Sequence, residues 1–249
     1  MIKGFDGTNR SNTDSVNFTI DTVKPSIDIV SPSNNSHLSN GNFTLKWDVT
    51  DNISGIKNIE IKVDDSDWIS KGLKETCILN LSDGAHEIHV KSIDKAMNDN
   101  ITSINILIDS TAPDLVIQSP SNNSINRNEN ITIEWDSYDN ITDIDHFEIK
   151  IDNQMWTEMG LNNTYNHNFS DGHHSIKVKS FDILGNYRVE NIEFYVDLYS
   201  PDVQIKKPTN NSAINKSNIT VKWTGSDNSS GIAHYEIKLN NASFVNVGT

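Results

Sequence analysis

Residues 131–152 read ITIEWDSYDNITDIDHFEIKID. Two other stretches copy them. Residues 43–64 read FTLKWDVTDNISGIKNIEIKVD, and residues 219–240 read ITVKWTGSDNSSGIAHYEIKLN. Trp47, Trp135 and Trp223 are 88 residues apart, and so are Asp51, Asp139 and Asp227. Self-similarity at a fixed period marks an array of one structural unit, and it outranks any domain count taken from length.

Inside each copy the apolar residues alternate with polar ones, which is the strand period. Ile27 and Ile29 mark a first strand, Phe43, Leu45 and Trp47 a second, and Ile59, Ile61 and Val63 a third. Ile78, with Leu79 or Leu81, belongs to another. Ile88 and Val90, then Ile104, Ile106 and Ile108, close the set. In the next copy Ile176 and Val178, then Ile192, Phe194 and Val196, repeat this ending. Turn signals separate the runs: Pro32 with Asn34-Asn35, residues 51–55, Asp83-Gly84, and residues 94–98. No stretch has a useful 3.6-residue period. Short strands at this spacing predict an all-β protein of tandem seven-stranded β-sandwiches with an 88-residue repeat. The in-phase tryptophans are expected in the core, where one such ring buries about 150–250 Å².

The repeat phase divides the chain. Residues 25–112 and 113–200 are expected to form complete units. Residues 1–24 read as the tail of another, with Phe5-Asp6 and then Val16, Phe18 and Ile20 alternating inward; residues 201–249 read as the front half of a third. The chain is thus expected to be a piece of a longer one, with any export signal outside it. Both ends, short of strands to pair with, are expected to be less ordered than residues 25–200 and to leave a sheet edge open. The joints are residues 21–25 (DTVKP), 109–113 (DSTAP) and 197–201 (DLYSP). A proline in each fixes one backbone angle and stiffens a short linker that holds units end to end.

The chain has 34 acidic and 20 basic residues, a net charge of −14. That balance argues against nucleic-acid or anionic-membrane partners, which want clustered Lys and Arg. No apolar run approaches a membrane span, so no membrane insertion is expected within these residues. The single cysteine, Cys77, corresponds to Tyr165 one repeat later, so no disulfide framework is expected and stability must come from packing.

These features resemble the fibronectin type III and bacterial immunoglobulin-like repeats of secreted microbial proteins, and most specifically repeats of archaeal surface proteins. The residues that carry the resemblance are the joint Asp109 to Pro113, the stretch Ser119 to Ser124, Trp135, the loop Asp51 to Ile56 (Asp227 to Ile232 in the last copy), the turn Asp171 to His174 and the turn Asp182 to Asn186. The chain departs from the pattern at Met97, where Gly185 stands one repeat later, and at Thr142-Asp143-Ile144, where Ser-Gly-Ile is expected. The resemblance implies an immunoglobulin-like sandwich and an extracellular or cell-surface setting. It is silent on ligand, because such repeats serve as spacers, adhesins and appendages of enzymes.

Candidate sites follow from the repeat. In a fibronectin-like sandwich the loop between the second and third strands and the last hairpin lie at the pole where the chain enters. That places Asp51 and Asp94 near the joint residue Asp21, and Asp139 and Asp182 near Asp109. Three carboxylates with loop carbonyls suit calcium, which takes oxygen ligands. The plain alternative is that each aspartate caps its own turn. Seventeen Asn-x-Ser/Thr sequons, Asn34, Asn52, Asn122, Asn140, Asn210 and Asn228 among them, are compatible with a glycoprotein or simply with turn-rich composition. His86 and His174 share a phase and read as strand-entry residues; His173-His174 has no metal-ligand pattern beside it. Trp68, Trp156 and Phe244 share another phase, as rim covers of the core or as sugar-stacking rings. There is no nucleophile elbow and no phosphate loop, and the acidic residues recur instead of converging.

The reading is a non-catalytic structural or adhesive segment of a large secreted or cell-surface protein, acting as spacer or interaction array. Its expected partners are neighbouring repeats of its own chain and surface glycans or proteins. The rivals are a carbohydrate-binding array, which requires exposed Trp68 and Trp156 rings, and accessory repeats attached to an extracellular hydrolase.

Overall fold

The computed structural model describes residues 1–5, 7–9 and 13–249; Asp6 lies outside the described residues. Among the described residues there is no helix, and none therefore that is long and apolar enough to cross a membrane. The chain forms two compact units, Met1–Thr111 and Ala112–Thr249.

The first unit holds one sandwich of eight strand segments: β1 (Ser26–Ser31), β2 (Ser36–Leu38), β3 (Asn42–Thr50), β4 (Ile56–Val63), β5 (Ile69–Gly72), β6 (Thr76–Asn80), β7 (Gly84–Asp94) and β8 (Asp99–Ile108). A three-stranded sheet has the order β1-β3-β6, and a five-stranded sheet the order β2-β8-β7-β4-β5. The eighth segment arises because the first strand divides. β1 runs antiparallel to β3 until its register breaks between Ile29 and Ser31, and β2 then pairs parallel with β8 in the other sheet. Pro32 sits at this crossing, where it has no N–H to offer a ladder.

Alternation places the core. Leu45 and Trp47 of the small sheet meet Ile59, Ile61, Ile88 and Val90 of the large one, and Trp47 is fully buried. β6 corrects the expected phase. Ile78 is exposed, while Cys77 and Leu79 on either side of it pack on the core with Leu81. Successive strand residues face opposite ways, so only one set can point inward. The pairing of Thr44 with Ile78 and Leu45 with Cys77 puts Cys77 on the inner face. Gly84 opens β7 at φ 125°, a conformation that L side chains rarely adopt. Gly172 repeats it at φ 128°.

In residues 1–24 the side chains expected to alternate inward lie on the surface instead. Val16, Phe18 and Ile20 are exposed and lie outside any strand, and the pairing there includes a bridge between Ile2 and Asp14. Their alternating pattern has no sheet to fold against among the described residues of this unit.

The second unit repeats the sandwich with β9 (Asp114–Ser119), β10 (Ile125–Asn126), β11 (Asn130–Tyr138), β12 (Ile144–Ile151), β13 (Thr157–Gly160), β14 (Thr164–Asn168), β15 (Gly172–Asp182) and β16 (Tyr187–Val196). Trp135 is buried against the edge of Phe147, with ring centroids 5.8 Å apart. Residues 201–249 form two separate two-stranded pieces. β17 (Asp202–Lys207) pairs with β18 (Lys222–Ser226), and β19 (Tyr235–Ile237) with β20 (Val245–Gly248). Their apolar side chains, Val203, Ile205, Ile219 and Phe244 among them, remain exposed.

Candidate functional site

The polar chemistry gathers where the chain enters a sandwich. Asp21, in the segment before β1, is buried although it is charged, and Asp94 at the end of β7 is fully buried. Asp51 begins the β3–β4 loop. One carboxylate oxygen from each of the three lies within 4.8 Å of the other two. Repeat phase and the loop positions of a fibronectin-like sandwich placed these residues together, and they do meet.

Each carboxylate also has amide partners. Asp51 Oδ1 accepts N–H groups from Ile53, Ser54 and Gly55 at 3.2, 2.9 and 2.5 Å, so it caps its own loop. Asp21 Oδ1 accepts Val23 N–H at 2.9 Å, and Oδ2 accepts Ser54 N–H at 3.1 Å, across 33 residues. Ser54 first, and the Val23 N–H second, hold the Asp21 carboxyl below its ordinary value. Asp94 Oδ1 accepts Asn98 N–H at 2.8 Å, and Oδ2 accepts Asn98 Nδ2 at 2.7 Å. The same Nδ2 donates to the Asp21 carbonyl at 3.2 Å. Asn100 Nδ2 donates to the Pro25 carbonyl at 3.0 Å. The linker is therefore pinned at both ends by the β3–β4 loop and the β7–β8 hairpin.

The other predicted ligands keep the same local habits. In the second unit Asp139 Oδ1 accepts Ile141 and Thr142 N–H groups at 2.9 and 3.0 Å. Asp182 Oδ1 accepts Leu184 and Asn186 N–H groups at 2.8 and 2.9 Å. An oxygen of Asp139 and one of Asp182 lie within 4.8 Å of each other. In the first unit Asp109 is buried, and its Oδ1 accepts Thr111 N–H at 3.1 Å and Thr111 Oγ1–H at 2.9 Å.

A second set of linker contacts was not anticipated. Asp83 Oδ1 accepts both Ser110 N–H, at 3.0 Å, and Ser110 Oγ–H, at 2.8 Å. Asp171, one repeat on, accepts Leu198 N–H at 2.8 Å and Ser229 Oγ–H at 2.5 Å. Asp197 Oδ2 accepts Ser230 Oγ–H at 2.5 Å. Asp227 Oδ1 accepts Ser230 and Gly231 N–H groups, both at 2.8 Å, and these hold its carboxyl low. The available signal was the Asp-Gly pair at 83–84 and 171–172, which reads first as a turn.

Trp68 and Trp156 are half-buried, each with a lysine over its ring. Lys91 Nζ stands 4.3 Å from the Trp68 ring centroid and 2.5 Å from Glu60. Lys179 Nζ stands 4.1 Å from the Trp156 centroid and 2.9 Å from Glu148. Glu60 and Lys91 alternate with the core residues Ile61 and Val90, so each half-buried ring lies on the outer face of the large sheet under a lysine. His173 and His174 point to opposite faces. His173 reaches Glu193 at 3.5 Å, whereas His174 is buried, as expected of two neighbours in a strand.

Residues 25–90 and 201–249 match the family described as a bacterial Ig domain. No curated protein matches the chain. Among solved structures, the fibronectin(III)-like modules of Clostridium thermocellum CbhA are similar at 15% identity and TM-score 0.40, over 69% of this chain and 94% of that one. Immunoglobulin domains 1–5 of Sidekick-1 are similar at 11% identity and TM-score 0.41, over 75% of this chain and 42% of that one. A tetra-tandem repeat in the extending region of a large adhesion protein is similar at 15% identity and TM-score 0.29, over 91% and 62%.

Proposed function

Taking the chain as a tandem array of bacterial Ig-like and fibronectin III-like sandwiches, we propose that it is a non-catalytic spacer or display segment of a secreted or cell-surface protein. The observation that carries this reading is the pinned linker. Asn98 and Asn100 hold the backbone of residues 21–25 from one hairpin, while Ser54 holds the Asp21 side chain from the opposite loop. A linker fastened at both ends sets the direction in which the chain enters a sandwich, which is what a spacer requires and a flexible tether does not. The equivalent aspartates of each copy cap their own loops instead of assembling once into a reacting group. The covered faces of Trp68 and Trp156 favour this reading over a sugar-stacking array.

Asp21, Asp51 and Asp94 favour one refinement: a calcium ion held at the entry of the first complete sandwich. Their donors are hard oxygens within 4.8 Å of one another, the chemistry this ion takes. Extracellular modules bind calcium at roughly 10⁻⁴–10⁻³ M, so the ion would follow the external supply. Thermal melting of the chain in millimolar calcium and then in a chelator tests it. A rise in Tm with calcium that disappears in Asp51→Asn supports the ion. Equal Tm in both media removes calcium and leaves the hydrogen-bonded linker as the whole device.

A further inference from the structure

We propose that His86 acts as a protonated clamp, so that the first complete sandwich tightens as pH falls from alkaline to mildly acid. His174 repeats its contact geometry one repeat later. His86 Nδ1 lies 2.8 Å from Asp64 Oδ2, and its Nε2 lies 2.9 Å from the Ser82 carbonyl. His174 Nδ1 lies 2.8 Å from Asp152 Oδ2, and its Nε2 lies 2.9 Å from the Ser170 carbonyl. Both partners of each ring accept: a carbonyl has no proton to give, and an ionised carboxylate has none either. A neutral imidazole has one N–H, so one ring nitrogen would turn its lone pair on an oxygen. The imidazolium ion donates at both nitrogens and satisfies both contacts.

The carboxylates are committed to this role. Asp64 and Asp152 open the turns after β4 and β12 in the left-handed region, both at φ 50°. Their Oδ1 atoms accept the N–H groups of Glu87 and Ser175, each at 2.8 Å. One aspartate thus ties the turn after β4 or β12 to the strand that carries the histidine. Few other charges face the rings. Across the sheet His86 is opposite Ile106, and His174 is opposite Phe194, with Phe169 5.0 Å away. On the same strands Glu87 turns to His89 at 3.5 Å and His173 to Glu193. Asp83 and Asp171 are engaged by Ser110 and Leu198. Burial disfavours charge on His86, but the Asp64 carboxylate and the Ser82 carbonyl outweigh it and raise its pKa. Burial likewise pushes Asp64 up, and the His86 and Glu87 hydrogen bonds outweigh it and hold it low.

The sign follows by linkage. A histidine raised on folding contributes its full stability below its unfolded value, about 6.5, and loses it as pH rises through the folded value. The experiment is an NMR titration of the ring signals in the intact chain and in the urea-unfolded chain. His86 is expected to titrate at a higher pH folded than unfolded. Thermal melting from pH 6 to pH 9 is expected to show a fall in Tm that is smaller in the His86→Gln variant. A folded midpoint at or below the unfolded one overturns the proposal. So does a fall in Tm that the variant keeps in full. If that variant does not fold, the titration of the parent chain decides alone.

Discussion

The side chain of Asn98 joins Asp94 to Asp21 through one nitrogen: Nδ2 lies 2.7 Å from Asp94 Oδ2 and 3.2 Å from the Asp21 carbonyl, 77 residues back along the chain. The amide thereby fixes the carboxylate of the last hairpin and the backbone of the incoming linker at once. Asn98→Ala removes both contacts and leaves the fully buried Asp94 carboxylate with one fewer donor. The expected loss is about 1.5–3 kcal/mol, the range for hydrogen bonds to a charged group. Chemical denaturation of the variant and parent measures it. The Asn98 backbone N–H still donates to Asp94 Oδ1, so the hairpin stays folded and the midpoint should shift with little change in slope.

A pair of serines gives a contrast between repeats. Ser92 and Ser180 occupy the same phase and are both fully buried. Ser180 Oγ meets Ser137 Oγ at 2.8 Å, but the position of Ser137 is Val49 in the first sandwich, and Ser92 Oγ has no hydrogen-bond partner among the described residues. Ser92→Ala should be neutral or stabilising, because it removes a buried hydroxyl that bonds nothing. Ser180→Ala should cost about 1 kcal/mol, a typical net hydrogen bond. A melting experiment is expected to show a lower Tm for Ser180→Ala and no loss for Ser92→Ala.

Met97 adopts φ 76° in the hairpin where Gly185 stands one repeat later at φ 84°. A residue with a Cβ pays about 1–2 kcal/mol there, which glycine avoids. Glycine also loses more entropy on folding, which offsets part of the gain. Met97→Gly should therefore stabilise the first sandwich by up to about 1 kcal/mol. Gly185→Met should destabilise the second. Differential scanning calorimetry of the two variants checks both directions.

Acid should loosen the linker contacts. Asp21, through Ser54 and Val23, and Asp227, through Ser230 and Gly231, are held below the ordinary carboxylate range. Groups depressed on folding contribute stability above their unfolded pKa and lose it as pH falls through the folded one. The difference in Tm between the parent and Asp21→Asn should thus be present at neutral pH and shrink as pH drops below about 4. A difference that stays constant to pH 2 would mean that the charge on Asp21 contributes nothing.

Much of this fold was legible because period two is a local signal. Leu45, Trp47, Ile59 and Ile61 could be placed inside from spacing alone, and they are buried. Ile78 was misplaced because Cys77, Ile78 and Leu79 form a continuous run, and only the pairing with β3 decides which of its faces turns inward. The division of the first strand was also hidden, since the choice of sheet for β2 depends on β8, some 70 residues later. At the joint, the meeting of Asp21, Asp51 and Asp94 was readable from repeat phase and sandwich topology. The parts played by Asn98, Asn100 and Asp83 were not, because an Asn or Asp in a turn reads as a turn residue whatever it bonds across the fold.

The pinned linker is the claim on which the proposed function stands, and amide hydrogen exchange at Val23, Ser54 and Ser110 tests it most directly. Each of these N–H groups donates to an aspartate that belongs to, or fastens, a linker. The account predicts slow exchange at all three in the parent chain, with faster exchange at Val23 and Ser54 in Asn98→Ala. Exchange at all three sites as fast as in an unstructured peptide would show that the linkers are free, and would contradict a spacer built on fixed joints.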